Sequence, residues 1–305
     1  MHTKDFISIH DLTIEEVHHI FDLTKEMKAA REKFSNALER KILALIFEKP
    51  SLRTRVSFEV GIRQLGGDAV YISPSEIQMG KRESVHDVGK TLERMVDGIM
   101  IRTFGHEIVL QLAKAVRIPV INGLTDLLHP CQAMADYFTV LEKKRNLKGL
   151  KVVFVGDGNN VCHSLMFGAA KLGVDFWAAT PEGYEPRKEI VQSANEDART
   201  TGARFHVVND PQEAVRNADV VYTDVWASMG QEGEAEARKR SFLPYQVNQK
   251  LFSLAKPDAL FLHCLPAHRG GEVTDDVIDS SNSVVFDEAE NRLHVQKVIM
   301  YELMR

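Results

Sequence analysis

The chain has 305 residues, of which 44% are hydrophobic and 27% are charged, and its formal net charge at pH 7 is −5. This composition is typical of an ordinary globular protein long enough for two hydrophobic cores, and the charge gives no sign of a nucleic-acid-binding surface. No apolar run approaches the roughly 18–20 residues that a membrane span needs.

The N-terminal residues and the cysteines bear on the cellular compartment. The first residues lack the short apolar segment of a secretory signal. Cys131, Cys162 and Cys264 make an odd number, and no two of them form a CxxC pair. A disulfide framework and a four-thiolate zinc site are therefore not expected, and we predict a cytoplasmic protein with reduced thiols.

In the first half of the chain, short β-rich runs alternate with helical patterns. A helix is predicted over residues 53–65, because Gly66 and Gly67 follow it as a helix stop, and another begins at Pro130 and ends near Glu142. The candidate strands are residues 42–47, 69–72, 98–101 and 118–121.

The second half of the chain repeats this alternation. Its candidate strands are residues 151–155, 176–179, 205–208, 220–222, 259–262 and 284–286. Buried strands that alternate with helices predict an α/β fold with doubly wound parallel sheets.

A polar stretch over residues 142–149 indicates a domain boundary. We expect a first domain over residues 1–145 and a second over residues 146–287, with an amphipathic helix at 288–305 packing back on the first. The predicted architecture is two doubly wound α/β domains with parallel sheets, joined by linking helices, with an active site in the cleft between them.

The segment from Lys49 to Arg55 follows a predicted buried strand and opens a helix. Ser51 is a natural N-cap, so the free backbone N–H groups of the first helical turn lie at the end of that strand. Hydroxyl and guanidinium groups beside a helix N-terminus make a phosphate site. The alternative is a capped helix whose two arginines are simply solvated.

Two further polar groups follow strands of the same half. Arg102 comes directly after the strand 98–101, and His129 begins a helix after the next strand and loop. These positions fall at the carboxyl ends of parallel strands, where open α/β sheets bind ligands. A histidine at a helix start is more often structural, but the convergence of three polar clusters at one edge favours an anion site.

In the second half, Gly156 and Gly158 lie between a strand and a helix and invite a dinucleotide-binding interpretation. Val161 occupies the position of the third glycine, so the full G-x-G-x-x-G spacing is absent. A tight turn between strand and helix needs the two glycines equally.

Asp224 also follows a strand, where a carboxylate can pair with an ammonium group. Residues 231–240 are strongly charged, which is typical of a mobile exposed loop. His263 and Cys264 end another strand; adjacent strand residues point to opposite faces, so they cannot act on each other as base and nucleophile. Cys264 as a buried apolar residue is the ordinary alternative.

Four segments resemble the aspartate/ornithine carbamoyltransferase family. The run from Phe47 to Arg55 resembles its Ser-Thr-Arg-Thr-Arg carbamoyl-phosphate motif, with Leu52 where the family usually has threonine. Three others resemble motifs of the ornithine branch: His129-Pro130-Cys131-Gln132, the Asp224 to Gly230 segment ending in Ser228-Met229-Gly230, and His263-Cys264-Leu265-Pro266. The resemblance extends from about Phe6 to Arg292.

The resemblance implies which residues bind each substrate. The residues implied for carbamoyl phosphate are Ser51, Leu52, Arg53, Thr54, Gln78, Arg102, His129, Gln132, Cys264, Leu265 and Arg292. Those implied for ornithine are Asn160, Asp224, Ser228 and Met229. Arg102, His129, Asp224 and Cys264 are the implied catalytic residues.

The implied reaction is transfer of the carbamoyl group from carbamoyl phosphate to the δ-amine of L-ornithine, giving L-citrulline and phosphate. No metal or organic cofactor is expected, because carbamoyl phosphate is already activated. The resemblance also implies a homotrimer, or an assembly of trimers, in which residues 75–84 reach a neighbouring subunit's site. No nucleic-acid or membrane partner is expected.

Several alternatives remain open at this stage. Within the family they are a carbamoyltransferase for modified ornithine or for putrescine; an aspartate enzyme lacks the Ser-Met-Gly and His-Cys-Leu-Pro motifs. An NAD-dependent oxidoreductase rests on Gly156 and Gly158 alone. A non-catalytic amino-acid-binding protein on this fold predicts binding without turnover.

Overall fold

The computed structural model describes residues 1–77, 79–80, 82–227, 230 and 232–305. The chain divides into two units, one made of residues 1–135 and 290–305 and the other of residues 136–289. The chain passes between the units within two helices, Pro130–Lys144 and Val285–Met304. The boundary expected at residues 145 and 146 follows the end of the first of these helices, whereas the division by contacts falls inside it.

The first unit is built on a parallel sheet of four strands in the order β2-β1-β3-β4. Its strands are β1 (Ile42–Phe47), β2 (Asp68–Ile72), β3 (Gly98–Arg102) and β4 (Val120–Leu124). Its helices are α1 (Ile14–Ala29), α2 (Leu52–Gln64), α3 (Pro74–Ile77), α4 (Val85–Leu92) and α5 (His106–Ala115), followed by α6 (Pro130–Lys144).

The second unit is built on a parallel sheet of five strands in the order β7-β6-β5-β8-β9. Its strands are β5 (Lys151–Val155), β6 (Asp175–Ala179), β7 (Arg204–Val208), β8 (Val220–Thr223) and β9 (Leu260–His263). Its helices are α7 (Asn160–Leu172), α8 (Lys188–Asp197), α9 (Pro211–Val215), α10 (Ala235–Phe242), α11 (Gln249–Phe252) and α12 (Asp275–Ile278), followed by α13 (Val285–Met304).

The strands at the centre of each sheet are apolar and buried, as parallel sheets covered by helices require. In the first unit, Ala44, Ile46, Ile99 and Ile101 pack in one core cluster. In the second, residues of β5, β8 and β9 pack with α11 and α12 in another. The predicted α/β fold with two parallel sheets is confirmed. Among the described residues, no helix is long and apolar enough to cross a membrane.

The predicted strand over residues 284–286 is wrong. Val284 donates its N–H to Phe261 O and accepts the N–H of Glu288, so the backbone turns there into α13. Val284 and Val285 are buried, whereas Phe286 is 72% exposed. A run of three apolar residues does not distinguish a strand from the first turn of a helix, since both bury part of it.

One strand boundary and one predicted loop also differ from the prediction. The strand predicted over residues 118–121 begins at Val120, because Pro119 has no N–H and contributes only its carbonyl, which accepts the N–H of Ile99. The charged segment expected to be an exposed loop is helical from Glu232 onward, and its Arg238 is buried; Gln231 lies outside the described residues.

Gly168 provides a test of packing in the second unit. A Cβ at this position of α7 would lie 2.5 and 2.7 Å from ring atoms of Tyr137. That ring is held by its hydroxyl, which donates to Leu165 O at 2.8 Å. Alanine normally stabilises a helix by about 1 kcal/mol relative to glycine, but overpacking costs about 1–3 kcal/mol.

We therefore expect Gly168→Ala to lower the free energy of unfolding, measured by urea titration, despite its better helix propensity. Gly233→Ala is the control, because a Cβ there meets nothing within 4 Å. A Gly168→Ala protein more stable than its parent would show that the Tyr137 ring moves aside freely.

Candidate active site

The N-terminus of α2 is capped as predicted. Ser51 has an extended backbone, and its Oγ accepts the N–H of Thr54 at 3.3 Å while donating to Thr54 Oγ1 at 3.1 Å. The side chain of Leu52 is 74% exposed. Leucine in place of threonine therefore leaves the cap and the backbone N–H groups of the first turn in place.

Arg292 joins this helix start to α6. Its Nη1 donates to Gln132 Oε1 at 2.7 Å and its Nη2 donates to Thr54 Oγ1 at 2.9 Å. Arg292 is 2% exposed, Gln132 1% and Thr54 not at all. The structure thus brings together, inside the first unit, three residues that lie far apart in the sequence.

His129 lies in the field of three arginines. It is 5% exposed, directly before α6, and Arg102 ends β3 at 7% exposure. Burial, followed by the positive charges of Arg292, Arg102 and Arg53, holds the pKa of His129 well below its usual range. His129 is therefore a neutral imidazole at pH 7, which can donate one hydrogen bond without adding to the positive charge.

This arrangement in the first unit suits a phosphate ester or anhydride. Guanidinium groups, hydroxyls and a helix N-terminus bind phosphate oxygens, and a neutral imidazole with a neighbouring amide can bind an uncharged carbonyl group. Cys131 does not take part as a nucleophile: its Sγ donates to Asn122 O, and burial raises its pKa to about 12.

In the second unit, Asp224 follows β8 and has a fixed orientation. Its Oδ2 accepts from Asn159 Nδ2 at 2.7 Å, and its Oδ1 accepts from Cys264 Sγ at 3.0 Å and from the N–H of Val225 at 2.8 Å. Burial, and next the charge of Asp224, raise the pKa of Cys264 well above its usual range. Cys264 is therefore a neutral thiol at pH 7 and is poorly suited to act as a nucleophile.

Asn159 is a residue that sequence reasoning missed, beside the predicted Asn160. Asn159 caps α7 through hydrogen bonds from Val161 and Cys162, while its amide reaches Asp224; Asn160 is the first residue of the helix. The preference of asparagine for N-caps could have identified its position, but not its contact across the sheet edge.

Gly156 and Gly158 lie in the turn between β5 and α7, and the local backbone explains why both are glycines. Gly156 has φ +142°, a conformation that favours glycine. A Cβ at Gly158 would lie 2.2 Å from the backbone nitrogen of Pro186. The chain itself therefore occupies the space that a glycine clears for a pyrophosphate in a dinucleotide site, so the turn gives no support to the oxidoreductase alternative.

Arg238 of α10 is a second feature that the sequence did not reveal. Its Nη1 donates to Asp157 Oδ2 at 2.7 Å and to Trp226 O at 2.9 Å, and its Nε donates to Glu234 Oε2 at 3.2 Å. It thereby ties the glycine turn to the segment that follows Asp224. In the sequence it is one of several charged residues of a helix with no distinguishing pattern.

Among the residues that the structure describes, one group of side chains could hold a metal ion by its spacing alone. Ligand atoms of Asp224, His263 and Cys264 all lie within 4.8 Å of one another. However, His263 Nδ1 accepts the N–H of Leu265 at 2.8 Å, and its Nε2 lies 3.1 Å from Glu272 Oε1. Both ring nitrogens are thus engaged, and a metal would have to displace one of these bonds.

The sequence-predicted residues therefore fall into two groups. In the first unit, Ser51, Arg53, Thr54, Arg102, His129, Gln132 and Arg292 gather at the carboxyl ends of the strands and the starts of α2 and α6. In the second, Asp224 and Cys264 are in contact, with Asn160 next to the cap and Leu265 next to the thiol. Gln78, Ser228 and Met229 lie outside the described residues.

Comparison with known proteins agrees with this geometry. The family model described as the carbamoyl-P binding domain of aspartate/ornithine carbamoyltransferase matches residues 4–142, and that of the Asp/Orn binding domain matches residues 148–303. An ornithine carbamoyltransferase of Thermococcus kodakarensis is 55% identical over 303 residues, which cover 99% of this chain and 96% of that relative.

Solved structures give the same result. The ornithine carbamoyltransferase from Pyrococcus furiosus matches with a TM-score of 0.95 at 53% identity, covering 98% of this chain and 96% of that one. The anabolic ornithine carbamoyltransferase from Campylobacter jejuni matches with a TM-score of 0.94 at 39% identity, covering 99% of each chain. The chain belongs to the aspartate/ornithine carbamoyltransferase family.

The depressed pKa of His129 predicts an acid dependence of stability. Because its pKa in the folded protein lies below the unfolded value of about 6.5, the unfolded chain binds more protons as the pH falls. The contribution of His129 to stability is therefore complete above pH 6.5 and is lost progressively below it.

We expect the free energy of unfolding to fall more steeply between pH 7 and pH 5 in the parent protein than in His129→Gln, as measured by urea unfolding at a series of pH values. Parallel curves for the two proteins would contradict a depressed pKa at this position.

Proposed function

We propose that this protein transfers the carbamoyl group of carbamoyl phosphate to the δ-amine of L-ornithine, giving L-citrulline and phosphate. The observation that carries the proposal is the neutral His129 held among Arg53, Arg102 and Arg292, because carbamoyl phosphate combines an anionic phosphate with an uncharged amide. The full-length likeness to proteins named ornithine carbamoyltransferase supports it.

The first unit binds carbamoyl phosphate in this proposal. Ser51, the backbone N–H groups at Leu52 to Thr54, and the guanidinium groups of Arg53 and Arg102 hold the phosphate oxygens. His129 and Gln132 hold the carbamoyl group, and Arg292 orients Gln132 and Thr54 through the hydrogen bonds described above. Gln78, which lies outside the described residues, belongs to the segment 75–84 and is assigned to carbamoyl phosphate in the site of a neighbouring subunit.

The second unit binds ornithine. The α-amino acid groups of ornithine are held by Asn160, Asp224, Ser228 and Met229. Asp224 is prepared for an ammonium group, because Asn159 and Cys264 already donate to its oxygens and hold it in one orientation. In this proposal Cys264 orients the reacting δ-amine, and Cys264 and Leu265 are also assigned to carbamoyl phosphate.

The chemistry needs the neutral δ-amine. An alkylamine of this kind has a pKa near the lysine value of about 10.4, so the amine loses a proton on or before binding. Its nitrogen attacks the carbamoyl carbon directly, and negative charge develops on the carbamoyl oxygen. Arg102, His129 and Thr54 are donors already placed at this oxygen, and they lower the barrier. In other enzymes, removal of one such donor lowers kcat by about 10²–10³-fold.

Phosphate then leaves and takes the proton of the attacking amine. The protein supplies position and charge, and no metal or cofactor has a step in the scheme. Covalently carbamoylated protein trapped by rapid acid quench would contradict direct transfer.

The test is a comparison of acceptor amines. Purified protein is incubated with carbamoyl phosphate and either L-ornithine, N-acetylornithine, putrescine or L-aspartate, and each carbamoylated product is quantified. We expect product with L-ornithine alone, because Asn160, Asp224, Ser228 and Met229 are assigned to the free α-amino acid groups and the reacting group is a δ-amine. N-acetylornithine lacks the free α-amine, putrescine lacks the α-carboxylate, and L-aspartate lacks the δ-amine.

Turnover with another amine would retain the carbamoyl-phosphate assignment and overturn that of Asp224. Binding of carbamoyl phosphate without product from any acceptor would identify a binding protein and refute the proposed activity.

We further propose that the protein is a homotrimer, or an assembly of trimers, in the cytoplasm. An exposed apolar stripe supports self-association: Leu52, Val56 and Val60 lie along α2 at 74%, 48% and 36% exposure, and Val70 on the sheet-edge strand β2 is 49% exposed. Apolar surface of this kind on a helix beside an open sheet edge is typical of an interface. The three unpaired cysteines agree with a reducing compartment.

The mass in solution tests the assembly. Light scattering after gel filtration should give three times the 34.4 kDa of one chain, or a multiple of that value. Val56→Asp should shift the protein to smaller species, because it places a charge in the apolar stripe. A monomer at every concentration would contradict the trimer.

A further inference from the structure

The segment that carries Cys264 leaves the sheet in an uncommon backbone conformation. Leu265, directly after Cys264, has φ +56°, a region that side-chain-bearing residues rarely adopt. A conformation of this kind persists only where surrounding contacts hold it. The position of the Cys264 thiol, 3.0 Å from Asp224 Oδ1, therefore depends on what holds Leu265.

His263 holds it. The imidazole is fully buried at the end of β9, and its Nδ1 accepts the backbone N–H of Leu265 at 2.8 Å. Nδ1 can accept only when it carries no proton, so the hydrogen-bond pattern assigns the ring proton to Nε2. The other tautomer would direct one N–H against another and release Leu265.

Glu272 selects this tautomer. Its Oε1 lies 3.1 Å from His263 Nε2, and the carboxylate is 1% exposed. The same oxygen accepts the backbone N–H of His268 at 2.6 Å, so the acceptor is itself held in place. The strand end is fixed separately, since the backbone N–H of His263 donates to Glu288 Oε2 at 3.0 Å.

We propose that His263 and Glu272 are positioning residues for carbamoyl transfer: Glu272 fixes the tautomer of His263, which holds Leu265 and thereby places the Cys264 thiol against Asp224. The inference rests on the proposed function, because that function assigns Asp224 to the α-amino acid groups of ornithine and Cys264 to the reacting δ-amine. Neither His263 nor Glu272 contacts substrate in this scheme, and both act through the backbone of one residue.

Three replacements separate this role from a general loss of stability. Glu272→Ala removes the acceptor. Glu272→Gln keeps an oxygen at the position of Oε1, and Oε1 is the oxygen that makes the hydrogen bonds with His263 Nε2 and with the backbone N–H of His268. His263→Asn places its Oδ1 near the position of Nδ1, where it can accept from Leu265 without needing a tautomer. The double variant His263→Asn with Glu272→Ala completes a double-mutant cycle, which measures the coupling between the two residues.

For activity with ornithine, we expect Glu272→Ala to lower kcat by about tenfold or more, by analogy with the loss of about 10–100-fold when the group that orients a metal-bound imidazole is removed. Glu272→Gln should retain most of kcat. In the His263→Asn background, Glu272→Ala should have little further effect, because no tautomer remains to be selected. The Kd of carbamoyl phosphate, measured by calorimetry, should stay within about twofold, since all the residues assigned to it except Cys264 and Leu265 lie in the other unit.

Cysteine alkylation provides a readout that does not require turnover. In Glu272→Ala the Cys264 thiol should lose its contact with Asp224, so its pKa should fall and its reaction with iodoacetamide at pH 8 should accelerate. Cys131 and Cys162 are fully buried internal controls, read in the same digest by mass spectrometry. Faster labelling of Cys264 alone, with the kinetic pattern above, supports the proposal.

Equal acceleration at all three cysteines would overturn the proposal, because it would show global loosening. Parent-like kcat and Cys264 labelling in Glu272→Ala would overturn it as well, as would full additivity in the cycle. If the parent lacks ornithine activity, the proposed function fails, while the alkylation result still reports on the contact between Glu272 and His263.

Discussion

The buried positive charge of the first unit is the constraint on which the rest of the site depends. Arg292 and Arg102 are 2% and 7% exposed, although burying a guanidinium is costly unless hydrogen bonds and counter-charge compensate it. Arg292 donates to neutral oxygens of Gln132 and Thr54, and the field of the arginines depresses the pKa of His129. A site with this field favours an anionic ligand, which completes its balance of charge.

The second unit has the opposite polarity at the corresponding strand ends. Asp224 follows β8 and is oriented by two side-chain donors, Asn159 and Cys264. A carboxylate held in this way favours a cationic or amine ligand. The same sheet architecture thus supports the proposal of an anion site in one unit and an amine site in the other, which is the pairing that carbamoyl transfer to an amino acid requires.

Much of the site could be predicted because local rules govern its parts. Ser51 caps a helix after a buried strand, and the carboxyl ends of parallel strands meet at one edge, so Arg102 and His129 could be assigned to one cluster. The errors occurred where local patterns are ambiguous. Residues 284–286 are apolar enough for a strand or a helix start, and residues 231–240 are charged enough for a loop or an exposed helix.

The sequence by itself determined the order of strands and helices, the caps, and the motifs that identify the family, because these depend on residues near one another in the chain. Only the tertiary structure decided which side chains form hydrogen bonds with one another. Arg292 reaches Thr54 across 238 positions, Asn159 reaches Asp224 across 65, and Glu272 selects the tautomer of His263. Hydrogen bonds of this kind depend on side-chain directions at strand and helix ends, which are set by packing of the whole unit.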